Sequence, residues 1–408
     1  MSFGNVGSGV ASRHAILAYD DDYSIQFFGQ NLRAWWKRSG MTSDEMLALA
    51  EKEYSQLLGR CEKFDSEIMS DLENAGGPEY ATLGALAYRQ ALAAQKLVAD
   101  KNGQPLMFSK ENNSNGCIGT VDVLYPAAPQ LLLFSPTLMK ASLVPIMEYS
   151  ASPRWKFPFA PHDLGTYPLA NGQVYGGGER TEDNQMPVEE SGNMLILLAA
   201  LARVEGNAKF SEKYWPQISE WADYLAAKGF DPESQLSTDD FAGHLAHNVN
   251  LSAKAIEALA ATADLADQLD RPADATKYRN LAKEFAQRWI TEARDGDHYR
   301  LAFDKPGTWS QKYNLVWDRI LGYNLFPQSV IDTELAYYKT RMNAYGLPLD
   351  SRRDYTKMDW IVWTATMAQN RSDFDALVNP IVKFLDATPD RVAMTDWFHT
   401  ENPRQAGF

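Results

Sequence analysis

Apolar residues recur at three- and four-residue spacing along most of the chain after Thr42, which is the pattern of α-helices. Strand-like alternation is rare. Six of the predicted helices are apolar on nearly every side, so they have to be buried on every side. These predicted inner helices run over residues 80–98, 121–134, 189–204, 249–269, 315–326 and 358–369.

A second kind of predicted helix carries a single apolar stripe and is expected to lie outside, with one face in water. One such stripe joins Tyr214, Ile218 and Leu225, and another joins Tyr278 and Trp289. Further striped segments run over 138–150, 329–345 and 373–385, after a long helical lead-in over 43–74. Because inner and outer helices alternate through short connections, the sequence predicts an all-α protein with an (α/α)6 toroid of six helical hairpins.

Length and charge refine this picture. With 408 residues and 45% apolar composition, the chain can bury one large core, so we expect a single domain over 1–408, with 1–41 as an N-terminal lead-in. A net charge of -14 disfavours nucleic acids and anionic membranes as partners, since both bind clustered Lys and Arg. The expected partner is a small molecule. Cys61 and Cys117 form no disulfide framework or paired zinc motif, and no cofactor is predicted.

Long connections rich in Gly, Pro and Asn precede five of the inner helices. They run over 102–120, 152–187, 231–248, 295–314 and 346–357. Loops of this length inside a compact domain are usually functional. Because all of them enter the N-terminal ends of inner helices, we expect them to gather at one pole of the toroid, which is the predicted active site.

Two carboxylates open the third inner helix. Glu189 and Glu190 follow Pro187, and Asn193 lies about one turn further along. Successive helical residues diverge by about 100°, so only one of the two carboxylates can face the cavity while the other braces a neighbour. The pair would also complement the helix dipole without any catalytic role. Because unpaired carboxylates are costly on a helix buried all round, a functional role is favoured.

The loop before the fourth inner helix, residues 238–250, is the densest polar segment. It contains Asp240, His244, His247 and Asn248. Two histidines three residues apart are a weak indication of metal binding, because no second ligand pair and no helical HExxH motif accompany them. We expect these residues to line the cavity or brace the loop, and no metal site is predicted.

The loop before the sixth inner helix mixes acids and bases. Arg352 and Lys357 are candidates to bind the α-carboxylate of an amino acid, and Asp350 and Asp359 to bind other polar groups of a substrate. A salt-linked loop without a ligand fits the same pattern. Trp360, just inside the helix, is either a packing residue or part of the cavity wall.

Further loops add polar groups at the same pole. His162 and Asp163 lie side by side in the longest loop, where they either form an acid–base pair or pin the loop. The other candidates for substrate binding in these loops are Glu111, Asn115, Asp122, Tyr167, Lys312 and Tyr313. Their convergence predicts a polar crater over an apolar stem. A Gly-x-Ser-x-Gly elbow is missing from the sequence, so serine hydrolase chemistry is not supported.

Several of these segments resemble the catalytic region of the glutaminase A family, and the resemblance covers nearly the whole chain. The similar strings are 109–111, 119–122, 161–168, 187–194, 243–251, 312–317 and 350–360. The resemblance implies a six-hairpin glycosidase-like fold, deamidation of glutamine to glutamate, and a secreted or periplasmic location. Members of the family usually carry a preceding β-rich domain, so we expect this chain to be one part of a longer family architecture.

The leading hypothesis is hydrolysis of a side-chain amide. In it a carboxylate deprotonates water, donors stabilise the oxyanion, and an acid protonates the departing ammonia. Glu190 is the favoured base, with Glu189 as the second carboxylate of the pair, and Asp240 or His247 the candidate acid. Asn193 and Asn248 are candidate oxyanion donors, and Arg352 with Lys357 the candidate clamp on the substrate carboxylate.

The rival hypothesis is glycoside hydrolysis, which needs two opposed carboxylates and aromatic sugar platforms. Glu190 with Asp240 or Asp359 would supply the carboxylates, and Trp309, Tyr313 or Trp360 would stack on a sugar ring. A binding domain without catalysis is a third possibility.

Overall fold

The structure, a computed structural model, describes residue 4 and residues 7–9, 13–111, 115–237, 242–390 and 393–407. Thirteen α-helices run through this part of the chain and form six hairpins in sequence order, because the four-residue helix Lys209–Glu212 lies within the third hairpin. The helices are α1 (Ser43–Gly76), α2 (Pro78–Ala93), α3 (Val121–Phe134), α4 (Pro136–Ser150), α5 (Pro187–Glu205), α6 (Lys209–Glu212), α7 (Trp215–Lys228), α8 (Val249–Gln268), α9 (Pro272–Glu292), α10 (Val316–Leu321), α11 (Gln328–Lys339), α12 (Met358–Thr366) and α13 (Arg371–Ala387).

Local sequence signals define many of the helix ends. Thr42 and Glu45 form a reciprocal capping box at the start of α1. Proline occupies the first turn of α2, α5, α7 and α9, where a missing N–H costs nothing. Gly206 ends α5 and Gly322 ends α10, both in the left-handed conformation that glycine adopts readily.

The inner helices form the wall of the toroid. α3 packs on α5, α5 packs on α8, and α8 contacts a 3-10 turn at Tyr313–Leu315 that leads into α10 and touches α12. The last hairpin closes the ring, because α13 contacts both α1 and α2. Every residue of α5 from Val188 to Ala202 is buried, as expected for a helix apolar on all sides. The predicted all-α (α/α)6 toroid is confirmed.

Three predicted elements differ in detail. The first inner helix ends at Ala93 instead of 98, because Gln95–Ala99 forms a strand paired with Pro105–Ser109. Its predicted burial on every side is wrong, since only Ala81 and Leu83 of α2 are buried. The fifth is only six residues long, since Gly322 stops α10. The predicted outer helix at 138–150 is buried on most of its surface, because the strand Pro105–Ser109 packs against α4.

Nine short strands accompany the helices in the described residues: β1 (Ile25–Phe27), β2 (Gln30–Leu32), β3 (Gln95–Ala99), β4 (Pro105–Ser109), β5 (Leu169–Ala170), β6 (Arg294–Asp295), β7 (His298–Tyr299), β8 (Tyr355–Lys357) and β9 (Trp397–His399). The first sheet has the order β2-β1-β5. It joins the N-terminal segment to the long loop between α4 and α5: Gln26 N–H donates to the Pro168 carbonyl at 3.0 Å, and Asn171 Nδ2 to the Gln26 side chain at 2.7 Å.

Aromatic side chains fill the centre of the ring. Tyr125 from α3 lies 5.1 Å from Trp363 and 6.0 Å from Trp317, measured between ring centres, and Trp360 stacks on Tyr313 at 4.2 Å. These rings bring α3, α10, α12 and the 3-10 turn before α10 into contact. Among the described residues, no helix combines the length and apolarity needed to cross a bilayer.

Candidate active site

Glu189 and Glu190, in the first turn of α5, are both buried and point to different partners. Glu189 Oε1 forms an ion pair with Lys254 Nζ of α8 at 2.5 Å. Glu190 Oε2 accepts a hydrogen bond from Asn193 Nδ2 at 3.1 Å, whereas its Oε1 has no hydrogen-bond partner in the described part of the chain. The helical divergence of neighbouring residues therefore separates a braced carboxylate from one with an unused oxygen.

Glu190 lies in a group of three titratable side chains. Asp122 from the start of α3, His162 from the long loop, and Glu190 each contribute one donor atom, and these atoms lie within 4.8 Å of one another. His162 Nε2 is 3.8 Å from Asp122 Oδ1. Because α3 and α5 are adjacent inner helices, residues far apart in the sequence meet here.

Asp163 holds His162 in place. Its Oδ2 lies 3.1 Å from His162 Nδ1, and the ring of Tyr175 stacks on the imidazole at 4.0 Å. A carboxylate on Nδ1 fixes the ring and leaves Nε2 for the opposite side, where Asp122 lies. The Asp163 carboxylate is itself held by the backbone N–H groups of Gly165, Val174 and Tyr175 at 2.7–3.1 Å.

Burial and mutual repulsion shift the pKa values of the group. Burial, reinforced by the charge of Asp122, raises the pKa of Glu190 well above its usual range. Burial also raises the pKa of Asp122 to about 6, although His162 opposes the shift. Burial lowers the pKa of His162, but Asp122 and Asp163 outweigh it and bring the value to about 8. Near neutral pH these values favour an ionised Asp122 beside an imidazolium, and the raised pKa of Glu190 favours its protonated form more than in a free carboxyl.

Hydrogen bonds extend from this group across the centre of the toroid. Asn193 Nδ2 also donates to Glu189 Oε1 at 3.3 Å, and Lys254 Nζ lies 4.3 Å from the centre of the Tyr125 ring. Tyr125 donates its hydroxyl to Asn314 Oδ1 at 3.0 Å. Asn314 in turn donates to the carbonyl of Asn250, the second residue of α8, at 3.1 Å. The network thus joins the N-terminal parts of inner helices that are separated in the sequence.

The predicted residues near α12 lie in a second polar group. Lys357 pairs with Asp396. Burial raises the pKa of Asp359 to about 6, against the effect of Lys357. Trp360 is buried in the stack on Tyr313 described above.

Two more of the predicted cations are engaged by protein groups. Arg352 contacts both carboxylate oxygens of Asp350 through Nε, at 3.0 and 3.1 Å, and keeps 21% of its side chain exposed. Lys312 is fully buried, and its ammonium donates to the carbonyls of Tyr299 and Ser310 and pairs with Glu334 at 3.3 Å. These contacts favour a structural role for Lys312, while Arg352 remains within reach of solvent.

The loop before α8 is more exposed than the group around Glu190. His247 pairs with Asp231 at 2.7 Å at the surface, which raises its pKa, and His244 is exposed. Asn248 caps α8, because its Oδ1 accepts hydrogen bonds from the backbone N–H groups of residues 250 and 251 at 3.0 Å each. Asp240, predicted as an acid, lies outside the described residues.

The predicted residues around α3 are mixed in position. Glu111 accepts from the Thr120 hydroxyl at 3.2 Å, and its charge adds to the rise in the pKa of Asp122. Asn115 is exposed, and Tyr167 is half-buried beneath the ammonium of Lys110 at 5.0 Å. Their roles in substrate binding stay predictions.

Comparison with known proteins places this architecture. Residues 77–408 match the sequence model of the glutaminase A six helical-hairpin domain. The chain belongs to this family. Residues 1–71 match a separate domain of unknown function, DUF5127. The boundary between the two matches falls at the end of α1, and the single-domain organisation stays a prediction.

The curated relatives of this family member are longer proteins. Glutaminase A of Aspergillus oryzae (strain ATCC 42149 / RIB 40) is 35% identical over 390 residues, covering 93% of this chain and 56% of that protein. A protein of Arthroderma benhamiae named "Probable glutaminase" is 26% identical over 425 residues, covering 83% and 48%. The chain therefore spans about half the length of the curated relatives it matches.

A solved structure shares the fold of this six-hairpin chain. It is a metal-independent α-mannosidase of Streptococcus pneumoniae in a non-productive complex with α-1,6-mannobiose, with a TM-score of 0.56 over 84% of this chain and 92% of the mannosidase chain. The two sequences are 13% identical, so the likeness shows the fold alone.

Two sets of donor atoms in the described residues are close enough to be considered as a cation site. In the set of Cys117, His162 and Asp163, the carboxylate and Nδ1 already bind each other and backbone donors. In the set of Asp122, His162 and Glu190, the 3.8 Å between Asp122 and His162 exceeds the edge of about 3.4 Å that metal–ligand bonds of about 2.1 Å imply. A bound ion would require these side chains to move, and the metal-free site stays a prediction.

Lys254 was missed at the sequence level, together with Tyr125 and Asn314. The signal for Lys254 was present, because a lysine within a helix predicted to be buried on all sides has to find a counter-charge. Tyr125 and Asn314 carry no such signal, since a tyrosine or asparagine near a helix start is common.

Proposed function

We propose that this chain is a hydrolase that deamidates glutamine to glutamate, with water activated between Asp122, His162 and Glu190. The observation that carries the proposal is the buried three-residue group in which Glu190 Oε1 has no hydrogen-bond partner among the described residues. Titratable groups with opposed pKa shifts in one buried place are typical of acid–base catalysis. The family membership and the 35% identity to a glutaminase A support glutamine as the substrate.

The pKa directions assign the roles differently from the sequence, which favoured Glu190 as base. The strongly raised pKa of Glu190 suits the role of the acid, whereas Asp122, with a pKa of about 6, is ionised near neutral pH and suits the role of the base. Asp122 takes a proton from a water molecule while the oxygen of that water bonds to the amide carbon. Glu190 then gives its proton to the nitrogen as the C–N bond breaks, and ammonia leaves. The proton on Asp122 returns to Glu190, which completes the cycle.

His162 supplies positive charge beside the reacting carbonyl. Because Asp163 holds the ring of His162 at Nδ1, we assign the Nε2–H group of His162 as the hydrogen-bond donor to the oxyanion. Asn193 and Asn248 fit the oxyanion role less well, because Asn193 donates to both carboxylates and Asn248 caps α8. Arg352 and Lys357 remain the proposed contacts to the substrate carboxylate, and secretion or a periplasmic location remains a proposal from the family resemblance.

The test is ammonia release from glutamine by the 408-residue chain and three variants. Glu190→Gln and Asp122→Asn are each expected to lower turnover by at least about a hundredfold. Glu220→Gln, an exposed carboxylate of α7, is the matched control and should keep full turnover. The pH profile of kcat/KM should rise through about 6 as Asp122 loses its proton and fall through about 8 as His162 loses its own. Full turnover in Glu190→Gln would remove the assignment.

Glycoside hydrolysis is the second candidate, and one distance bears on it. The donor oxygens of Asp122 and Glu190 lie within 4.8 Å, which is nearer to the roughly 5 Å separation of a retaining glycosidase than to the roughly 6.5–9.5 Å of an inverting one. A panel of aryl glycosides run beside glutamine separates the two. Release of sugar without ammonia would overturn the glutaminase proposal. If neither sugar nor ammonia is released, the result favours a binding domain.

A further inference from the structure

Lys254 is a wholly buried lysine in the second turn of α8. Its ammonium pairs with Glu189 and lies over the ring of Tyr125. A buried ammonium persists only where a counter-charge and a suitable surface compensate for its lost hydration. The toroid supplies both, so Lys254 is a built feature of its interior.

The neighbouring helix is shaped to let the stem of this lysine pass. A Cβ added to Gly192 on α5 would lie 2.7 Å from Lys254 Cγ and 3.0 Å from Cδ. Gly192 is a helical residue and needs no unusual backbone angle, so space for the lysine is the reason that the structure gives for a glycine here. The close approach of α5 and α8 thus depends on Lys254 and Gly192 together.

A short chain of contacts connects Lys254 to Glu190. Lys254 and Asn193 both donate to Glu189 Oε1, and the same Asn193 amide donates to Glu190 Oε2. Resting on the function proposed above, we propose that Lys254 is a positioning residue: its ion pair with Glu189 fixes Asn193, which holds Glu190 by Oε2 and leaves Oε1 for the substrate.

The ion pair also balances charge around the acid and the base. Glu189 raises the pKa of both Glu190 and Asp122, and Lys254 lowers both. Removing one partner leaves the other uncompensated, so the two single variants should shift the pH profile in opposite directions. The titratable groups that face Glu190 and Asp122 from the surrounding elements are Glu111, His162, Glu189 and Lys254.

The experiment compares Lys254→Met, Glu189→Gln and the double variant, with Lys283→Met as a control at an exposed position of α9. With glutamine, each single variant is expected to lower kcat at least about tenfold while KM changes less than about threefold. Glu189→Gln should move both limbs of the pH profile to lower pH, because the positive charge of Lys254 is then unbalanced and lowers the pKa values of its neighbours. Lys254→Met should move them up, because the Glu189 charge is unbalanced.

The double variant separates positioning from folding. It removes both buried charges, so its thermal midpoint and pH profile should return close to those of the wild type while kcat stays low. Wild-type kcat in the double variant, or singles that lose stability without any shift of the pH profile, would overturn the role of Lys254.

Failure of the proposed function gives a different result. If the wild type hydrolyses an aryl glycoside instead of glutamine, the same variants are compared on that substrate, since the acid and base are shared. A 13C-NMR titration of the Glu190 carboxyl, assigned with Glu190→Gln, needs no turnover at all. Opposite displacements of that titration by the two single variants support the proposal, and no displacement in either contradicts it.

Discussion

Replacing Gly192 by alanine should destabilise the protein, against the usual effect of this substitution in a helix. Alanine is favoured over glycine in a helix interior by about 1 kcal/mol. At Gly192 the added methyl would lie 2.7 Å from Lys254 Cγ, so the stem of the lysine has to move. Overpacking of this kind costs about 1–3 kcal/mol. The net loss is therefore about 1 kcal/mol if Lys254 only shifts, and about 2–4 kcal/mol if its ammonium leaves Glu189.

Gly59 provides the matched control, because it lies within α1 and has no atom within 4 Å of the position of an added Cβ. Gly59→Ala should gain up to about 1 kcal/mol of unfolding free energy. Urea unfolding followed by tryptophan fluorescence in one buffer gives both values, with the slope checked for constancy. If Gly192→Ala gains as much as Gly59→Ala, the steric account of the α5–α8 contact is wrong.

Three further substitutions test other parts of the structure. Asn248→Ala removes the cap of α8 and should cost about 1 kcal/mol, measured by urea unfolding, whereas Asn248→Asp should keep most of it. Asp163→Asn loses the charged acceptor of three backbone N–H groups and should cost at least about 2 kcal/mol, with a fall in turnover as His162 loses its orientation. Glu257→Gln tests the sign of a pKa shift, because burial raises the pKa of this carboxyl, whose oxygens have no partner among the described residues. A raised pKa in the folded state means that the stability contributed by the neutral carboxyl of Glu257 is full below the pKa of the unfolded chain and is lost as pH rises. The variant should therefore be more thermally stable than the wild type at pH 8 and differ little from it at pH 4. Equal differences at the two pH values would contradict this reasoning.

The pattern of the sequence predicts the helices whose burial is uniform and misses contacts between distant segments. α5 and α8 were predicted because a helix without a polar face has one possible environment. α4 was assigned an exposed face, but strand β4 covers it, and nothing in the local periodicity of 138–150 reports a strand that lies thirty residues earlier.

The same limit applies to the site. Glu190 was found because a carboxylate on an all-apolar helix is an anomaly that local reasoning detects. Lys254 is the same anomaly on α8, and pairing the two helices required the three-dimensional contact. His247 was expected to line the cavity or to brace the loop, and it pairs with Asp231 at the surface. Its backbone lies in the left-handed region (φ 60°), which spacing in the sequence cannot show.

The first sheet bears on how this protein can be divided into fragments. Its strand β1 comes from the segment that matches a different family from the rest, yet it pairs in parallel with β5 in the loop that carries His162 and Asp163. A fragment cut at the boundary between the two family matches would leave the histidine loop without its neighbouring strand. Shortened versions of the chain for crystallisation or engineering should therefore begin ahead of Ile25.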